Sequence, residues 1–151
     1  EDHLSTIFPE VRLKQFLEMR GADSGPWRTL CALPALWTGL LYDSGALDAA
    51  WDLVRDWTAE DRQKLREDVP KLALKAEVRG RSVRDNARDC LEIARRTLDS
   101  RDIVGCKNLN ETRFLDVLDE IVDAGRTHAE ELLALYHGRW NGDVTHVFRD
   151  F

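Results

Sequence analysis

The sequence predicts an α+β fold that is mostly helical, with a single strand near the start of the chain. Two patterns carry this prediction: from about residue 45 onward apolar residues recur with the helical period of 3.6, and between 11 and 20 they alternate with polar residues. One strand cannot form a sheet, so the other strands of an antiparallel sheet are expected outside this chain. We therefore expect residues 1–151 to be the C-terminal part of one larger domain.

Within that domain, residues 1–25 are expected to hold the strand and its turn, and residues 26–151 a helical layer. The predicted strand covers 11–20, and one of its faces is apolar: Val11, Leu13, Leu17 and Met19. The turn-forming segment GADSGP, residues 21–26, ends it. A helix over 10–20 is the alternative, because several of the same apolar residues also fit a period of 3.6.

Local signals mark the ends of the helices that follow. Pro26 suits the first turn of a helix. The segments 58–61 and 127–130 each read as a capping box, in which a threonine and an acidic side chain three residues later satisfy free backbone amides. The helix that begins at 58 is expected to end near Val69 and Pro70, and Gly125 is expected to stop a later helix.

Composition excludes several classes of function. The formal net charge is −6 and no basic stripe is present, so no nucleic-acid partner is expected. No apolar run reaches about 18 residues, so no membrane span is expected. Three widely spaced cysteines without a C-x-x-C pair argue against a zinc site or a disulfide framework, and they indicate a reducing compartment such as the cytoplasm.

The residues most suggestive of chemistry are Glu18 and Arg20. On one strand face their Cα atoms lie about 6.6–6.8 Å apart. A carboxylate is a hard oxygen ligand for Mg²⁺, and a guanidinium can bind phosphate oxygens through two hydrogen bonds, so the pair could form half of a site for phosphoryl transfer from a magnesium nucleotide. From the pattern alone a simple ion pair is favoured, because E-x-R is common. Arg12 shares the face but lies roughly 20 Å back along a straight strand, so we expect it in a structural ion pair.

A longer match points to a family. The stretch HLSTIFPEVRLKQFLEMRGADSGPWRTLCALPALWTGLLYD, residues 3–43, closely resembles the plant and proteobacterial type of glutamate–cysteine ligase. The stretches WDLVRDWTAEDRQKLREDVPKLALKA and AGRTHAEELLALYHGRWNGDVTHVF resemble it too. The resemblance covers nearly the whole chain and is weakest from about 79 to 112. It is to the C-terminal part of these longer enzymes, and it implies that residues 1–151 belong to a single larger catalytic domain.

The resemblance implies a reaction and a set of site residues. Such enzymes use ATP and Mg²⁺ to join the γ-carboxylate of glutamate to the amine of cysteine, the first step of glutathione biosynthesis. Their fold is similar to that of the glutamine-synthetase-like superfamily, with an antiparallel sheet that forms a funnel and helices behind it. Carried over, Glu18 is the expected Mg²⁺ ligand and Arg20 the expected catalytic phosphate contact. Trp27 is expected to line the substrate pocket, with packing against its own helix as the alternative.

The resemblance also sets expectations for partners and location. The partners would be glutamate, cysteine and ATP, together with the remaining N-terminal part of the same protein, and the location would be the cytoplasm, or the plastid in a plant. The isolated chain is expected to be inactive, because the rest of the site lies elsewhere. Three alternatives stay open: another carboxylate–amine ligase of the superfamily, a non-catalytic helical interaction module, and a structural domain in which Glu18 and Arg20 form only a salt bridge.

Overall fold

The computed structural model describes residues 10–105 and 109–150, and it confirms a mostly helical α+β fold. Residues 1–9, which the predicted segment 1–25 includes, lie outside the described part. Two separate antiparallel hairpins contain the strands: β1 (Val11–Leu13) with β2 (Leu17–Met19), and β3 (Glu77–Val78) with β4 (Arg81–Ser82).

The helices follow one another with short connections. They are α1 (Trp27–Leu41), α2 (Ser44–Val54), α3 (Ala59–Leu72), α4 (Val83–Arg101), α5 (Asp116–Ala124), α6 (His128–His137) and α7 (Val147–Asp150). Short 3-10 turns lie at Ala73–Lys75, Glu111–Leu115 and Val144–His146. The long helix α4 lies at the centre, where it contacts α1, α2 and α5. No described helix is long and apolar enough to cross a membrane.

The core is centred on the crossing of α1 and α4. Its buried members are Leu40, Ala46, Leu91, Ile93, Ala94, Leu98, Leu115 and Val122. At the crossing, Gly39 faces Ala94 so closely that a Cβ on the glycine would lie 2.7 Å from the Cα and the carbonyl oxygen of Ala94. The two helix backbones can approach this closely only because residue 39 has no side chain.

Helix α5 is attached to α4 through its last turn. The Nε of Arg84 donates to the carbonyl oxygen of Val122 at 2.6 Å, and its Nη2 donates to that of Asp123 at 2.5 Å. Carbonyls in the last turn of a helix lack the usual amide partner four residues on. The Val122 carbonyl also accepts from the amide of Gly125 at 3.1 Å, and the Arg84 guanidinium acts as a further C-terminal cap. The predicted stop at Gly125 is confirmed, since Gly125 adopts a left-handed φ of 63° just beyond the helix.

Both predicted capping boxes are confirmed. Thr58 caps α3 with Asp61, and Thr127 caps α6 with Glu130. The hydrogen bond from the Thr127 amide is the main cause that lowers the pKa of Glu130, and the Thr58 amide lowers the pKa of Asp61 in the same way. Two helix starts read from the sequence are therefore present with the bonds that define them.

The predicted end of α3 near Val69 and Pro70 is wrong, because the helix continues to Leu72. Pro70 has no amide hydrogen to donate to the carbonyl of Arg66, but this position falls near the end of the helix, where Arg66 is exposed and water can bind the carbonyl. The chain leaves the helix at Ala73 instead, which has a φ of 50°.

The expected single strand over 11–20 is instead a hairpin, in which the chain reverses at residues 14–16. The second hairpin was not predicted at all. Its turn uses Arg79 and Gly80, with φ values of 52° and 76°, and two consecutive positive φ values are typical of the tight turns that join short antiparallel strands.

We predict that Gly39→Ala destabilises the chain. The new Cβ would meet backbone atoms of Ala94 that cannot move aside without shifting α4, so the free energy of unfolding should fall by about 1–3 kcal/mol despite the better helix propensity of alanine. Chemical denaturation followed by circular dichroism measures this. Gly45→Ala, in the exposed first turn of α2, is the control. Its new Cβ would lie 3.2 Å from a side-chain oxygen, Oδ1 of Asp43, and near no backbone atom, so it should cost clearly less stability than Gly39→Ala. Equal stability of both variants would contradict the close crossing.

Candidate active site

The β1–β2 hairpin carries both residues that the E-x-R pattern singled out. Two backbone hydrogen bonds of 2.9 Å extend its ladder: the amide of Arg20 donates to the carbonyl of Glu10, and the amide of Lys14 donates to that of Phe16. The paired residues are Val11 with Met19, Arg12 with Glu18, and Leu13 with Leu17. Odd-numbered residues therefore pair with odd-numbered residues, and even-numbered with even-numbered. The two predicted faces thus stay separate after the chain folds back.

Glu18 and Arg20 lie on the same face and in contact. The Nε of Arg20 lies 3.9 Å from Oε2 of Glu18. Both side chains are about one-third exposed, so the pair lies at the surface of the described chain, where a ligand can reach it.

Arg12 lies directly opposite Glu18 on the neighbouring strand. Its Nε is 3.3 Å from Oε2 of Glu18, which confirms the expected ion pair. The expected large separation from Glu18 is wrong, because it assumed a straight strand and the chain instead reverses between the two residues. Arg12 is thus a neighbour of the candidate site.

Lys14 completes a group of three cations around one carboxylate. Its Nζ lies 3.6 Å from Oε1 of Glu18, so both carboxylate oxygens have a cationic neighbour. Ion pairs this exposed contribute at most about 1 kcal/mol each to stability. Fold stability is therefore a weak explanation for a face that gathers Arg12, Lys14 and Arg20 about Glu18, whereas such a face is well suited to an anionic ligand.

Two atoms of this group are buried without a hydrogen bond. The Nε of Arg12 and Oε2 of Glu18 have no hydrogen-bond partner among the described residues, although they form an ion pair with each other. Buried polar atoms in proteins are normally hydrogen-bonded. One donor and one acceptor at the centre of the charged group are therefore left without a hydrogen bond in the described chain.

The donor set fits a magnesium ion only in part. Glu18 has a carboxylate, an oxygen ligand of the kind a hard cation prefers, but its Oε2 is buried and lies beside the guanidinium groups of Arg12 and Arg20. The described residues contain no group of three or more histidine, cysteine or acidic side chains that could hold a metal. Glu18 could thus provide one ligand, and the other ligands would have to be phosphate oxygens or side chains outside the described part.

Trp27 begins α1 and remains largely uncovered. Its side chain is 77% exposed, so its ring is not packed into the described chain. The next residue, Arg28, fixes this end of the helix to α5, since its Nη2 donates to Oε1 of Glu120 at 2.7 Å. That hydrogen bond raises the pKa of Arg28 and lowers the pKa of Glu120. Trp27 therefore projects from an anchored helix end, and its predicted place in a substrate pocket stays a prediction.

The opposite face of the hairpin is apolar and uncovered. Val11, Leu13 and Leu17 are 46%, 80% and 56% exposed. Antiparallel sheets usually bury one apolar face, and an isolated two-stranded hairpin is at best marginally stable in water. This face is thus suited to pack against further structure beyond the described residues.

Comparison with known proteins places the chain in a family. Residues 1–150 match the model of Glutamate-cysteine ligase family 2 (GCS2). Because the match spans almost the whole sequence, the chain belongs to this family.

Curated relatives agree with this assignment. The chain is 50% identical to the chloroplastic glutamate–cysteine ligase of Solanum lycopersicum, 49% identical to that of Arabidopsis thaliana, and 48% identical to the chloroplastic glutamate–cysteine ligase A of Oryza sativa subsp. indica. Each alignment covers 99% of this chain but only 28% or 29% of the relative. The chain therefore spans less than a third of the length of these relatives.

Sequence reasoning singled out Glu18 and one of its three cationic neighbours, Arg20, but did not place the other two beside them. Glu18 and Arg20 could be paired because they share one strand. Arg12 and Lys14 could be added only by recognising a turn at 14–16, and the residues there, Lys-Gln-Phe, have no glycine, proline or asparagine to signal one.

We predict that a disulfide forms between residues 11 and 19 in the double variant Val11→Cys with Met19→Cys. Val11 and Met19 form a non-hydrogen-bonded pair, because the hydrogen bond from the Arg20 amide goes to the Glu10 carbonyl one position further along. The Cβ atoms of such a pair lie about 4.5 Å apart or closer, within reach of a disulfide, whereas residues eight apart in a straight strand or a helix are too distant. Peptide mapping by mass spectrometry after mild oxidation identifies the bond. The control pair Lys14→Cys with Met19→Cys lies on opposite faces and should not cross-link. Cross-linking of both pairs, or of neither, would reject the register.

Proposed function

We propose that this chain is the part of a glutamate–cysteine ligase that supplies one edge of its active site. In the proposed reaction, the γ-carboxylate of glutamate takes the γ-phosphoryl group of ATP, and the amine of cysteine then displaces phosphate to form the amide bond. The observation that carries the proposal is that a chain of this family holds Glu18 and Arg20 in contact on an accessible strand face. Proteins that are about half identical to it bear the name of this activity.

The chemistry assigns a role to each residue of the predicted site. Glu18 would offer its oxygen to Mg²⁺, which supplies charge neutralisation of the nucleotide when bound. The Arg20 guanidinium would stabilise negative charge on the phosphoryl group during transfer, since a planar fork of donors matches phosphate oxygens. Trp27, exposed at the first turn of α1, would contact the amino-acid substrates.

The location of the protein is part of the proposal. The relatives are named as chloroplastic enzymes. We propose a plastid location if the source is a plant and a cytoplasmic location otherwise.

We predict that the isolated chain does not form γ-glutamylcysteine. Phosphoryl transfer requires nucleotide, metal and acceptor held together, and the described residues contribute one carboxylate and its cationic neighbours. The assay contains the purified chain with ATP, Mg²⁺, glutamate and cysteine, and the complete protein is the positive control. Turnover by the chain alone would contradict the idea that it holds only one edge of the site. A complete protein that accepts another amine in preference to cysteine would favour a different ligase of the superfamily.

A second prediction concerns Arg20 in the complete protein. Arg20→Lys keeps the charge but removes the fork of donors, so kcat should fall by roughly 100-fold or more with a smaller change in KM, as when a donor to the transition state is lost. Steady-state kinetics at saturating ATP measures this. Arg55→Lys is the control, because Arg55 pairs with Asp52 on an exposed helix surface. A near-normal kcat in Arg20→Lys would favour the structural salt bridge.

A third prediction concerns Glu18. Glu18→Gln keeps the size and one carbonyl oxygen but removes the negative charge, so the Mg²⁺ concentration that gives half the maximal rate should rise strongly. Mn²⁺ should restore part of the activity, since it binds most mixed ligand sets more tightly. The measurement is a metal titration of the complete protein at fixed nucleotide concentration. An unchanged Mg²⁺ titration would remove Glu18 from the metal site.

A further inference from the structure

We draw no further inference here: the strongest candidate, the mainly apolar groove of about 270 Å³ that Cys31 and Thr38 of α1, Leu98 of α4 and Glu111 of the following 3-10 turn line, carries nothing because no feature of the described part of the chain shows what covers it.

Discussion

The close crossing of α1 and α4 is the constraint on which the rest of the molecule depends. Gly39 against Ala94 brings two helix backbones together without an intervening side chain, and the buried residues around them form the core. Helix α4 then holds α5 through the Arg84 guanidinium, which binds the last carbonyls of that helix. The start of α1 also contacts α5 through the exposed ion pair of Arg28 and Glu120. The position of α1, from which the candidate site extends, is thus set by packing far from the site.

The candidate site lies on the β1–β2 hairpin, the part of the described chain that is least able to fold independently. The helices share a core, whereas the β1–β2 hairpin exposes an apolar face and leaves two polar atoms of its other face without hydrogen bonds. Further structure packed on the apolar face would bury it. A charged group on the other face would pair with the polar atoms that lack hydrogen bonds. A chain that spans less than a third of its relatives' length is consistent with such a division. The helical layer provides stability, and the hairpin presents charged groups to whatever completes the site.

The sequence predicted those features that depend on local rules. Capping boxes at Thr58 and Thr127 and the stop at Gly125 each rest on bonds within a few residues, and all three are present. Alternation between 11 and 19 predicted the two faces correctly even though the chain reverses, because the register pairs residues of equal parity. The reversal itself could not be read from Lys-Gln-Phe, and strands of two residues such as β3 are too short to show a period. The close approach at Gly39 could not be predicted from the sequence either, because it depends on a contact with a helix more than fifty residues away.

The hairpin also explains how the common Glu-x-Arg pattern can form part of an anion-binding face. Glu-x-Arg on one strand places two opposite charges side by side, and by itself this is only an ion pair. The second strand adds Arg12 directly opposite the glutamate and Lys14 beside the turn, and it does so through backbone pairing that fixes which residues share a face. A one-residue slip in that pairing would move both added cations to the apolar face and leave Glu18 and Arg20 unchanged. The charge that distinguishes an anion-binding face from a simple salt bridge therefore depends on the register of β1 and β2.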